Sequence, residues 1–224
     1  MRHGCQNAGT MRSASLLVLA SALLLTAFAA PSLSAPARPT IAAQPPDLLR
    51  DGRLTLFGSI PDGRPRQIVR LEARDCGQSL YRQVAVVETA AGGRWSWEYF
   101  YPGITASVRA RWQDRTSAPV RVRDRAYVAL RQSGTRAFSA SVRAKMSFAG
   151  KRVLLQRLDP ARGWTTLRSA VLAGGGAPPG STFVFSTARF KAKPPAGSLV
   201  RAFMPAAQAG PCYLGGRSNM LRIR

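Results

Sequence analysis

One pattern of residues occurs twice in this chain, in the same order, and it constrains the fold more than any other feature. Ile68-Val69-Arg70-Leu71 returns as Arg152-Val153-Leu154-Leu155, Trp95-Ser96-Trp97 as Phe183-Val184-Phe185, and Val108-Arg109-Ala110 as Val200-Arg201-Ala202. The closing Ser117 with Val120-Arg121-Val122-Arg123 returns as Ser218 with Leu221-Arg222-Ile223-Arg224. The offsets are 84, 88, 92 and 101 residues, growing in one direction as loops lengthen in the second copy. Chance matches would not keep their order, so the chain reads as a duplication of one unit.

The unit itself reads as β. Leu54 to Phe57, Gln67 to Ala73, Val84 to Thr89, Trp95 to Tyr101, Ser107 to Trp112 and Val120 to Arg123 alternate with period two and are rich in β-branched and aromatic residues. Turn signals separate them, among them Pro61-Asp62-Gly63, Cys76-Gly77, Ala91-Gly92-Gly93 and Pro102-Gly103. No run has helical period or length. Short strands at this spacing predict an all-β chain of two tandem immunoglobulin-like antiparallel sandwiches, over 53–125 and 126–224. The second copy adds two loops, Leu172 to Gly180 with its Gly and Pro runs, and Met204 to Gly216, which carries Cys212.

Ahead of the repeats stands a leader. Arg12 precedes an apolar run from Leu16 through Phe28, and the small-x-small sites Ala27-Phe28-Ala29 and Ser32-Leu33-Ser34 follow. That order predicts a cleaved signal peptide over 1–34, since the run falls short of the roughly 20 apolar residues of a membrane span. Residues 35–52, rich in Pro and Ala, read as a flexible or extended tether. After Ser34 there remain 31 Lys and Arg against 10 Asp and Glu, a net charge of +21. Such a balance draws anionic polymers and membrane surfaces, and no motif points to specific nucleic-acid recognition.

The marks in order are an opening strand with Gly58, a Val-x-Leu strand, Gly-Gly-Arg-Trp-Ser-Trp leading to Pro102, Val-Arg-Ala, and a closing Ser-x-x-Val-x-Val. They resemble exported bacterial proteins with immunoglobulin-like or fibronectin-type-III-like repeats. The resemblance covers roughly Arg53 to Arg224. It implies a fold, and the role of a spacer, adhesive module or appendage of a larger surface protein.

Catalytic sets are missing from the sequence. The sole histidine, His3, lies in the leader, which removes Ser-His-Asp and Cys-His nucleophiles and His-bearing zinc sites from the mature chain. Gly174-Gly175-Gly176 lacks the Lys-Ser/Thr that follows in a phosphate loop. The ten acidic residues stand among three times as many bases, so charge pairing is expected of them rather than glycosidase chemistry. No enzyme, no cofactor and no metal site is expected.

Three residue sets remain as candidates. Cys76 and Cys212 are the two cysteines left in an oxidising setting, and the even count favours a bridge. Against it, an end-to-end arrangement puts Cys76 at the far pole of the first sandwich. Trp95, Trp97, Tyr99 and Tyr101 share one strand face, where they serve either core packing or a sugar-stacking platform, with Tyr99 and Tyr101 the more exposed pair. Trp164 has no visible aromatic counterpart in the first copy and is expected to cap the end of its sandwich.

Lastly, Arg109, Arg111, Arg121 and Arg123 alternate with apolar residues on two strands that neighbour each other in this fold, so all four are expected on one outer sheet face. Arg201, Arg222 and Arg224 form the matching patch in the second copy. They read either as solvated positions or as an anion-binding face for an envelope polymer or acidic lipid surface. The expectation is thus an exported, non-catalytic structural or adhesive module, secreted or held in the extracytoplasmic cell envelope, with binding of anionic polymer or carbohydrate as the alternative and a hydrolase with an unrecognised site ranked behind both.

Overall fold

A computed structural model describes residues 37–47, 53–98 and 103–224. The leader over 1–34, part of the expected tether, and Tyr99 and Tyr101 lie outside the described residues. The fold is all-β, and the strands form four antiparallel sheets in two pairs.

The N-terminal half contains β1 (Ala42–Gln44), β2 (Thr55–Ser59), β3 (Ile68–Asp75), β4 (Arg82–Glu88), β5 (Arg94–Glu98), β6 (Ala106–Trp112), β7 (Arg115–Thr116) and β8 (Val120–Val122). One sheet has the order β1-β2-β5, and the other β4-β3-β6 with β7 and β8 both on the open edge of β6. Period-two alternation turns Leu54, Leu56, Val69, Leu71, Val108, Ala110 and Val122 into one buried cluster between these sheets. Trp95 is 4 % exposed and Trp97 packs against the same cluster, so the described members of the aromatic stripe serve the core.

The tether is corrected at its end. Ala42 to Gln44 pair with Thr55 to Phe57, the Thr40 N–H donates to Ser59 O (2.8 Å), and the Arg123 N–H donates to Pro46 O (3.0 Å). Prolines hid this strand in the sequence, but an edge strand bonds on one side only and tolerates them. Gly58 makes the approach possible, since a Cβ there would stand 2.0 Å from Thr40 O.

The C-terminal half repeats the arrangement with β9 (Tyr127–Gln132), β10 (Ala137–Ala144), β11 (Arg152–Asp159), β12 (Gly163–Val171), β13 (Ala173–Gly174), β14 (Val184–Lys191), β15 (Leu199–Met204), α1 (Ala206–Ala209), β16 (Gly216–Arg217) and β17 (Leu221–Arg222). Its sheets run β13-β14-β10-β9 and β12-β11-β15, with β16 and β17 on the open edge of β15. Part of the expected loop after Leu172 is therefore a short strand. The two halves correspond in irregular details as well as in strand order. The register slips between Leu71 and Glu72 in β3 and between Leu155 and Gln156 in β11, the same place 84 residues on. Buried Ser117 and Ser218 each interrupt the last strand and accept a backbone N–H, from Ala110 (2.9 Å) and Ala202 (2.8 Å). The match of Phe183 and Phe185 to the two tryptophans is not kept. Ser186, Ala188 and Phe190 are the buried residues of β14, so Phe185 points away from the core.

Cys76 and Cys212 are bridged, with Cα atoms 5.4 Å apart. The expectation that their poles lie far apart is therefore corrected, and strand direction gives the reason. β3 is antiparallel to β6 and β6 to β8, so β3 and β8 run the same way and end together, Asp75 opposite Ala106 and Ala106 opposite Val122. Cys76 thus leaves β3 beside the handover to the second half. Cys212 lies in the β15–β16 connection, which returns to the same place. The Thr105 N–H donates to Cys212 O (3.1 Å), the Leu214 N–H to Asp124 O (2.7 Å), and the Tyr213 hydroxyl to Gly103 O (2.9 Å). Asp124 is 5 % exposed at this junction, and its carboxylate accepts the Arg125 N–H (2.7 Å). Burial pushes its pKa up to about 6, against the opposing effects of the Arg125 bond and the Lys145 charge.

Candidate functional site

The outer faces of the β4-β3-β6 and β12-β11-β15 sheets carry the charged side chains, because the inner positions of the same strands hold the core. In the N-terminal half the register slip in β3 turns Glu72 outward, opposite Arg109 of β6 and Gln83 of β4. Arg109 Nε donates to Glu72 Oε2 (2.7 Å) and Arg111 donates to Oε1 (3.3 Å). Burial opposes the Glu72 charge, yet the bonds from Arg109 and then Arg111 hold its carboxyl below its ordinary pKa. The Arg109 guanidinium lies 4.0 Å from the centre of the Tyr81 ring, and Arg74 lies 5.0 Å from it.

Arg109, Arg111, Arg121 and Arg123 all alternate with inward residues, but they do not form an unrelieved cationic patch. Arg121 stands opposite Ser107 rather than opposite another arginine, and it donates to Pro211 O (3.1 Å) across the junction. Arg123 pairs with Asp47 (2.7 Å), which Arg125 also approaches (3.8 Å). Glu72 and Asp47 thus supply internal countercharge to Arg109, Arg111 and Arg123, while Arg70 stands directly opposite Arg111.

The C-terminal half builds the same constellation with one chemical change. Gln156 occupies the place of Glu72, and Arg201 that of Arg109. Arg201 Nε donates to Gln156 Oε1 (3.0 Å), and its guanidinium lies 4.0 Å from the centre of the Trp164 ring and 5.5 Å from that of Phe203. Trp164 is therefore the counterpart of Tyr81. It lies on the sheet face under an arginine and does not cap the sandwich end as expected. Arg217 stands opposite Phe203 on the neighbouring strand. Burial, and then the charge of Arg217, lower the pKa of Arg201. Arg222 donates to Gly197 O (3.0 Å), and Arg224 is exposed at the chain end, so neither joins Arg201 in a shared contact.

The charge balance differs sharply between the halves. From Tyr127 onward there are sixteen Lys and Arg and one acidic residue, Asp159, which Arg157 engages (3.4 Å). A recess of about 520 Å³ in this half is lined by Arg136, Arg168, Lys191 and Lys193. Sequence reading missed the Arg-aromatic stacks because Tyr81 and Trp164 precede or open their strands and look like turn residues. Their offset of 83, beside the 84 of the adjoining strand, was the available signal. No family model and no curated protein matches the chain.

Proposed function

We propose that this protein is an exported, non-catalytic structural or adhesive module of the cell envelope, built from two tandem immunoglobulin-like sandwiches of fibronectin-type-III-like connectivity. The junction carries this reading. Tandem domains ordinarily meet through few contacts and move against each other. Here a disulfide and backbone hydrogen bonds cross from Cys76, Gly103, Thr105 and Asp124 to the 212–214 segment, which suits a part that holds its neighbours at a fixed distance and orientation. A bridge of this kind persists in oxidising compartments, which agrees with the leader read from the sequence. The sheet orders β1-β2-β5 and β4-β3-β6-β8 support the sandwich assignment.

The test is fractionation of cells that express the full chain. The exported protein should begin between Ala30 and Pro36 by mass spectrometry, yield a Cys76–Cys212 peptide by non-reducing mapping, and sediment with the envelope. A protein that retains Leu16 to Ala30, or that keeps both thiols free inside the cell, defeats the reading.

A further inference from the structure

We propose that Arg201 and Arg217, on the outer face of the β12-β11-β15 sheet, form a binding site for a dianionic phosphate group. This goes beyond the envelope-module reading and does not depend on it.

The duplication supplies an internal comparison. In the first copy Arg109 and Arg111 share the Glu72 carboxylate, which offsets one of their two charges within the fold. In the second copy the equivalent acceptor is the neutral amide of Gln156. It fixes the guanidinium through Nε and supplies no countercharge. Trp164 and Phe203 flank the guanidinium, and no carboxylate forms an ion pair with Arg201 or Arg217 among the described residues. The Nη edge of Arg201 thus has a set direction and no carboxylate partner among the described residues, the geometry that receives an oxyanion in two parallel hydrogen bonds.

Arg217, opposite Phe203 on the next strand, sets a second cation beside Arg201, and two neighbouring cations are matched by one group carrying two negative charges. A phosphate monoester carries roughly −1.5 to −2 at neutral pH, whereas a carboxylate carries a single charge. The side chains are also anchored before binding, because Gln156 is 8 % exposed and Trp164 packs under the guanidinium, so little ordering is left for the ligand to impose. The phosphate can come from a free monoester or from a phosphate-bearing polymer, and the chemistry at Arg201 is the same.

The full chain is titrated calorimetrically with inorganic phosphate, with polyphosphate and with acetate at constant ionic strength, so that general attraction to a basic chain cancels. Phosphate should bind at one site per chain, and acetate at least about tenfold more weakly. Gln156→Glu, which gives the second copy the acceptor of the first, should weaken phosphate about tenfold or more, as should Arg201→Gln. Glu72→Gln should open a second site in the first copy. Unchanged circular dichroism shows that the variants fold. Tighter binding of polyphosphate than of phosphate points to a polymer, and equal binding per site points to a free monoester; either upholds the site. Binding that survives Gln156→Glu and Arg201→Gln overturns the proposal, as does binding lost only in Arg136→Gln with Lys191→Gln, which would place the anion in the recess.

Discussion

Replacing Asp124 by Asn should stabilise this protein at neutral pH and leave it nearly unchanged in acid. Asp124 is buried at the junction, where Thr105 Oγ1 accepts its N–H (3.2 Å) and its own carboxylate accepts the Arg125 N–H (2.7 Å). The charge of Lys145 also favours its ionised form, though Lys145 is itself engaged by Asp75 (3.4 Å). With the folded pKa raised to about 6 from 3.8, the native state binds the proton more tightly than the unfolded chain does. Stability from this group is therefore greatest below pH 4 and is lost as pH rises to about 6, beyond which the cost is constant. At 1.36 kcal/mol per unit, the full cost is about 3 kcal/mol. Asn keeps the acceptor for Arg125 and carries no charge, so it recovers that amount. Urea unfolding of both proteins from pH 4 to pH 8 measures it, and the loss of Glu72 pairing in acid cancels in the difference. A stability difference that is flat with pH, or an Asn variant weaker than the parent at pH 7.5, would refute the reasoning.

Three further outcomes are expected. Reducing the Cys76–Cys212 bridge, or replacing both residues by Ser, frees a loop with a sequence separation of 136 and should lower stability by up to about 5 kcal/mol in chain-closure terms, read as a lower urea midpoint. Ser117→Ala and Ser218→Ala each strand a buried backbone N–H, of Ala110 or Ala202, and should cost about 1 to 3 kcal/mol apiece and by similar amounts, measured by thermal unfolding. Gly58→Ala sets a Cβ against Thr40 O and Trp95, so β1 should detach, seen as faster amide hydrogen exchange at Ile41 to Gln44 and at Ser59.

Strand type was legible because it rests on local alternation. Val108, Ala110, Val200 and Ala202 announce buried faces by spacing alone, and all four are fully buried. What was not legible depended on direction and pairing across distance. The pole occupied by Cys76 follows from β3 running parallel to β8, a fact about two strands that never touch. The edge strand Ala42–Gln44 is too short and too rich in neighbouring prolines to show a period. The outer arginines were placed on the right face by alternation, but their partners Glu72, Asp47 and Pro211 come from other strands and loops, 37, 76 and 90 residues away.

The two copies diverge selectively, and the selectivity carries meaning. Features that hold a sandwich together are kept in both: the slip in the third strand, the serine clamp on the last, and an arginine stacked on an aromatic ring of the outer sheet. Stability thus constrains the stack as it does the core, since the ring and the arginine stem cover the sheet surface between them. The acceptor beneath it is under no such constraint, because both Glu72 and Gln156 satisfy the same Nε donor at similar distance. Exchanging one for the other leaves the scaffold intact and changes the net charge of the face by one unit. The carboxylate of Glu72 lowers the positive charge of the sheet face that leads to the disulfide-closed junction. Its absence from the second copy, together with the near absence of acids from Tyr127 onward, concentrates the field of the whole molecule on one half. The acids of the N-terminal half, and their near absence from Tyr127 onward, thereby give the chain an electrical polarity that strand order alone does not supply.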